Sequence, residues 1–138
     1  MRGRLIRLEG VRLVDKVLLV EDNVLNMELA RDILEAEGYT VAVATSGIEA
    51  LERVKFDRPD LIIMDIQLPN MDGLTATRIL KNDPATRDIP VVALTAHAMK
   101  GDETKILDAG CSDYLPKPLN VKNFLAVVGK HLKVESQA

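Results

Sequence analysis

Three short aliphatic runs constrain this chain more than anything else in it: Val17-Leu18-Leu19-Val20, Leu61-Ile62-Ile63-Met64 and Val91-Val92-Ala93-Leu94. None alternates polar with apolar residues, so each reads as a strand covered on both faces, as in a parallel sheet. Thr40 to Ala44 is β-rich but more mixed and suits a strand nearer an edge, and Ser112 to Leu115 is a weaker fifth candidate. Helical stretches fill the intervals. Asn23 can cap a helix carrying Leu25, Leu29 and Ile33, with Gly38 ending it. Ser46-Gly47-Ile48-Glu49 is a capping-box pattern opening a second helix, with Ile48, Leu51 and Val54 as its apolar positions. Asp72-Gly73 precedes a third, through Leu74 to Lys81. A fourth runs from Ala98 to Ala109, weakened in its first turns by Gly101. The last places Val121, Phe124, Leu125, Val128 and Leu132 on one face. Five strands alternating with five helices predict a doubly wound α/β domain, and right-handed crossovers favour the strand order 2-1-3-4-5.

Length and composition agree with one globular domain. The chain has 138 residues, 47% hydrophobic and 28% charged. Aromatics make up 3%, with no Trp, which argues against single-stranded nucleic-acid binding on stacking platforms. A net charge of −3 offers no basic field for DNA or acidic membranes. Cys111 is the single cysteine, so neither an internal disulfide nor a cysteine-rich zinc site is available, and it reads as a small apolar residue near a strand. No apolar run approaches the roughly 18 residues of a membrane span, so no membrane insertion is expected. Residues 1–15 carry Arg2, Arg4, Arg7 and Arg12 without a long hydrophobic stretch. They read as an N-terminal extension without assigned function, not as a signal peptide. Residues 16–133 form the expected domain, 134–138 a C-terminal tail, and a cytoplasmic location is expected.

In an open parallel sheet, ligands bind outside the carboxyl ends of the strands at the topological switch point. Glu21 and Asp22 follow the first strand, Asp65 the third, Thr95 the fourth and Lys117 the fifth. Any one of these alone reads as a helix cap, a β-former or a surface lysine. Together they bring polar groups from four strands to one rim. Converging carboxylates repel at neutral pH and call for a raised pKa or a cation. Oxygen-only ligands with open water positions suit Mg²⁺ better than Ca²⁺. A carboxylate beside Mg²⁺ can attack phosphorus, and a hydroxyl with a fixed ammonium then suits the phosphoryl oxygens.

Four segments carry a resemblance: Val20-Glu21-Asp22-Asn23, Met64-Asp65-Ile66-Gln67-Leu68-Pro69-Asn70-Met71-Asp72-Gly73, Leu94-Thr95-Ala96 and Leu115-Pro116-Lys117-Pro118. In order and spacing they are similar to the receiver domains of two-component response regulators, over residues 16–133. The resemblance implies a flavodoxin-like fold and Mg²⁺-dependent phosphoryl transfer from a histidine kinase or a histidine phosphotransfer protein. It implies that Asp65 is the phosphoacceptor, Asp22 a direct metal ligand, Glu21 a ligand through water and Gln67 a ligand through its backbone carbonyl. Thr95 and Lys117 resemble the pair that bind the phosphoryl oxygens. Tyr114 stands at the aromatic position that turns inward on activation, and Lys117-Pro118 at a cis peptide bond. A downstream protein is then expected on the face formed by the fourth helix, fifth strand and fifth helix.

The match departs from the commonest pattern in having Glu21 as its first acid. Gln67 and His97 occupy positions that tune dephosphorylation. With no output domain after the last helix, a stand-alone receiver similar to single-domain cell-division and chemotaxis regulators is expected. The phrases Val20-Glu21-Asp22-Asn23-Val24-Leu25-Asn26-Met27 and Ala98-Met99-Lys100-Gly101-Asp102-Glu103 lean toward the cell-division type. Such a protein is a signalling phosphoacceptor, and at most a slow self-phosphatase. Alternatives are a receiver-like interaction module not switched by phosphorylation, or a receiver excised from a hybrid kinase. A haloacid-dehalogenase-like phosphatase would want a second Asp at the position of Gln67. A flavin carrier would set an anionic phosphate against three acids.

Overall fold

The computed structural model describes residues 15–96 and 102–132. Five strands and five helices alternate along them: β1 (Lys16–Val20), α1 (Val24–Ala36), β2 (Thr40–Ala44), α2 (Gly47–Phe56), β3 (Leu61–Asp65), α3 (Gly73–Asn82), β4 (Val91–Thr95), α4 (Asp102–Asp108), β5 (Asp113–Pro116) and α5 (Val121–His131). The strands form one parallel sheet in the order β2-β1-β3-β4-β5. This is the flavodoxin-like doubly wound arrangement expected from the sequence. No helix among the described residues is long and apolar enough to cross a membrane. The expected beginning of the fourth helix at Ala98, together with His97, Met99 and Gly101, lies outside the described residues, as do the extension before Asp15 and the tail.

Successive residues on a strand point to opposite faces, so an unbroken aliphatic strand feeds two cores. Leu18, Val20, Ile62, Met64, Val91 and Ala93 pack with Ala50 and Val54 of α2, Ala76 and Leu80 of α3, and Ile106 of α4. Val17, Leu19, Leu61, Ile63, Val92 and Leu94 pack on the other side with Ala30 and Leu34 of α1 and Phe124 and Val128 of α5. Cys111 is buried in the first cluster, and burial pushes its thiol pKa up, so it stays protonated and inert at neutral pH.

Helix ends follow their capping residues. Asn23 Oδ1 accepts the Asn26 N–H at 2.9 Å, and Gly38 at φ 96° closes the same helix. Ser46 Oγ accepts the Glu49 N–H at 3.1 Å, while the Glu49 carboxylate reaches back past the cap to the Thr45 N–H at 2.7 Å. Asp72 Oδ1 caps α3 through the Thr75 N–H at 2.8 Å.

Three helix faces differ from expectation. On α1 the inward residues are Ala30 and Leu34, with Leu25 77% and Leu29 51% exposed. Ala30 and Leu34, four residues apart, form the inward line with Met27 and Ile33 packed partly beside it, which leaves Leu25 and Leu29 on the outward face. On α2 the inward set is Gly47, Ala50 and Val54, so Ile48 is exposed and Leu51 only partly covered, because the smallest side chains take the close contact. On α5, Phe124 and Val128 are inward, followed by Leu132, whereas Val121 in the first turn is half exposed and Leu125 partly covered.

Candidate metal and phosphoryl site

β1 and β3 are neighbours, so the residues leaving their carboxyl ends meet. Glu21 continues the β1 line, its N–H donating to the Ala44 carbonyl at 3.0 Å. Its carboxylate is 2% exposed, and Oε2 accepts the Asn23 N–H at 3.2 Å. Asp65 is the last residue of β3 and is equally buried. Its Oδ1 accepts the Gln67 N–H at 2.9 Å, and its Oδ2 takes Lys117 Nζ at 2.7 Å. Lys117 Nζ also lies 3.3 Å from Glu21 Oε1. That lysine leaves β5 along β4, where its N–H donates to the Thr95 carbonyl at 2.8 Å, and the Lys117-Pro118 peptide bond is cis, as the resemblance implied. Thr95 is the last residue of β4 and is buried.

One carboxylate oxygen each from Glu21, Asp22 and Asp65 lies within 4.8 Å of the others. Asp22 is exposed, so the cluster opens to water on one side. Burial, then the hydrogen bond to Asp65 and that residue's charge, push the Glu21 carboxyl up to about 7, against the smaller opposing pull of the Asn23 N–H and Lys117. Burial alone would lower the Lys117 pKa; Asp65 and Glu21 outweigh it and hold the ammonium protonated. Three carboxylates facing one ammonium leave a deficit of positive charge when all are ionised. An oxygen-only donor set with one open side fits a hard divalent cation such as Mg²⁺.

Every candidate site residue in the described segments is brought to the C-terminal rim except Tyr114. That side chain is partly covered, and its hydroxyl donates to the Glu103 carboxylate on α4. Asp65 and Thr95 close their strands instead of opening the following loops. Two contacts were missed at the sequence level: the Gln67 N–H on Asp65 and the Asn23 N–H on Glu21. The signal available was an acid two residues before a loop N–H, the spacing of an Asx-type turn. A groove lined by Glu21, Asn26, Leu29, Leu94, Lys117, Pro118 and Leu119 opens beside the acids.

The response regulator receiver domain model matches residues 17–129. Over 116 residues the chain is 50% identical to the polar-differentiation response regulator DivK of Brucella anthropi, covering 84% of this chain and 94% of that protein. Among solved structures it is similar to the receiver domain of the sensor histidine kinase PA1611 of Pseudomonas aeruginosa, crystallised with magnesium in its active-site cleft. The TM-score is 0.79 and the identity 37%, over 85% of this chain and 96% of that one. It is also similar to the Vibrio cholerae chemotaxis protein CheY4, with a TM-score of 0.82 and 27% identity over 86% of this chain and 99% of that one. By sequence and by fold, this chain belongs to the receiver family of two-component response regulators.

Proposed function

We propose that this DivK-like receiver accepts a phosphoryl group on Asp65 in a Mg²⁺-dependent reaction and so switches its binding to a downstream protein. The observation that carries the reading is the Lys117 ammonium 2.7 Å from Asp65 Oδ2, at a cluster in which one carboxylate oxygen each of Glu21, Asp22 and Asp65 lies within 4.8 Å of the others. Asp65 is held by one backbone N–H and one ammonium, which orient it for attack. A carboxylate oxygen attacks the phosphorus of a phosphohistidine on a histidine kinase or a histidine phosphotransfer protein. The new O–P bond forms as the P–N bond breaks, and the imidazole leaves with its proton. Glu21, Asp22, Asp65 and the Gln67 carbonyl are the groups to hold Mg²⁺, which when bound neutralises charge on the transferring phosphoryl oxygens. Lys117 then transfers its contact from Asp65 to a phosphoryl oxygen, and the Thr95 hydroxyl donates to another. The apolar side of the groove at Leu29 and Leu119 gives the protein donor a surface beside the acids.

Movement of Thr95 toward Asp65 leaves space for Tyr114 to leave Glu103 and turn inward. α4 buries only Ile106 among its described residues, so it is the weakly held element of the α4–β5–α5 face, and that face is where the downstream target binds. The working receiver unit is residues 16–133, it acts in the cytoplasm, and its only turnover is slow loss of its own phosphoryl group. Intact-mass spectrometry after incubation with acetyl phosphate, with and without Mg²⁺, tests the reading. It expects a Mg²⁺-dependent adduct on the native chain and none on Asp65→Asn; an adduct that persists on Asp65→Asn sinks it.

A further inference from the structure

Gly73 opens α3 directly behind Asp65. It is buried, and its N–H donates to the Ile66 carbonyl at 3.2 Å. A Cβ at this position would lie 2.3 Å from the Asp65 carbonyl oxygen, 2.8 Å from Ile66 Cα and 2.9 Å from Met64 Cγ. The first two are main-chain atoms and cannot swing aside as a flexible side chain does. Gly38 and Gly110 are the described glycines with positive φ; Gly73 is not among them, so what its position demands is space. Gly129, in the interior of α5, has nothing within 4 Å of the corresponding point among the described residues.

We infer that Gly73 is a positioning residue for Asp65: the absent side chain lets the first turn of α3 brace the backbone of the phosphoacceptor. The inference rests on the proposed role of Asp65 and adds a residue to its machinery. Of the four strands that build the site, β3 alone carries the backbone that Gly73 braces, since Glu21 follows β1, Thr95 ends β4 and Lys117 follows β5. Displacing Asp65 alone therefore changes its placement relative to groups that stay where they are. The loop between Asp65 and Gly73 is pinned at both ends, by the Gln67 N–H on Asp65 Oδ1 and by the Gly73 N–H on the Ile66 carbonyl. A methyl group at Gly73 moves the strand end, the loop, or both, and with them the carboxylate and the Gln67 backbone.

The test is Gly73→Ala in the full chain, made in a Gly129→Ala background. An alanine inside α5 meets no neighbour among the described residues and favours the helix, which offsets any loss of stability. Three readouts are taken well below the unfolding transition: the metal-free backbone amide shifts of Asp65 and Gln67, Mg²⁺ affinity by titration, and the rate of labelling by acetyl phosphate. Relative to Gly129→Ala alone, Gly73→Ala should shift both amides, weaken Mg²⁺ binding and slow labelling on the order of 10- to 100-fold. Adding Met64→Ala removes the side-chain atom among the three nearest neighbours. The positioning role predicts that Mg²⁺ affinity stays low, whereas its return to the level of Met64→Ala alone would reduce Gly73 to a packing position. A lower melting temperature with unchanged shifts, affinity and rate overturns the inference too. If the parent protein binds Mg²⁺ yet takes no phosphoryl group, the phosphoacceptor reading fails, and the amide shifts and Mg²⁺ affinity still decide the role of Gly73.

Discussion

If Mg²⁺ sits on Glu21 and Asp65 as proposed, it competes with Lys117 for the same carboxylates. The ammonium stands 2.7 Å from Asp65 and 3.3 Å from Glu21, where it offsets part of their repulsion in the metal-free protein. Replacing it has opposite effects on binding and on transfer. Lys117→Ala should tighten Mg²⁺ severalfold, because a competing charge is gone, yet slow labelling strongly, because a donor to the phosphoryl group is gone. Isothermal titration with Mg²⁺ beside a labelling time course checks both signs. Glu21 gives a second residue-scale expectation. Its folded pKa of about 7 lies above its ordinary 4.5, so between those values the folded state binds more protons than the unfolded one. Its contribution to stability is complete below about 4.5 and is lost as the pH rises toward 7. Metal-free denaturation in urea should therefore show stability falling across that window, and Glu21→Gln should flatten the fall. At this scale the acids, Thr95 and Lys117 were legible, since side-chain type and strand ends mark them. The Gln67 and Asn23 contacts were not, because a backbone N–H is the same in every residue except proline.

Elements were legible in number and kind, less so in rotation. On α1 the apolar spacing picks out Leu25, Leu29 and Ile33; the structure packs Ile33 partly against the core but turns Ala30 and Leu34 fully inward and leaves both expected leucines exposed. Close approach of a helix to a sheet admits a small residue such as Ala30 on the inward line, and a pattern read from large apolar residues alone misses it. The same applies to Gly47 and Ala50 on α2. The faces make a direct prediction. Leu34→Ala, at a fully buried position, should cost about 2–5 kcal/mol by chemical denaturation. Leu25→Ala, on the outward face, should stay within about 0.5 kcal/mol of the parent. Equal costs at the two positions would mean that the helix is rotated from the orientation described. At the other end of the sheet, α5 is tied to β5 through Asp113, whose Oδ2 meets His131 Nε2 at 3.0 Å and Lys130 Nζ at 3.3 Å. Burial alone would raise the Asp113 pKa; the hydrogen bonds from His131, the Tyr114 N–H and Lys130 outweigh it and hold the carboxyl below its ordinary range.

On the scale of the whole molecule, the two cores and the site have one origin. Strands apolar on both faces require helices above and below, which makes the sheet parallel and gathers every strand's carboxyl end at one pole. The order β2-β1-β3-β4-β5 then sets Glu21 beside Asp65 and Thr95 beside Lys117. That is why the unbroken aliphatic runs sufficed to anticipate both the architecture and the rim where chemistry collects. The central claim is that Asp65 carries the phosphoryl group, and the most direct measurement is chemical mapping of the modified residue. Borohydride reduces an aspartyl phosphate to homoserine, so the chain is treated with acetyl phosphate and Mg²⁺, reduced, digested and sequenced by tandem mass spectrometry. The account predicts homoserine at position 65, absent when Mg²⁺ is chelated. Homoserine at another acid, or at none while the intact chain gains a phosphoryl group, would contradict it.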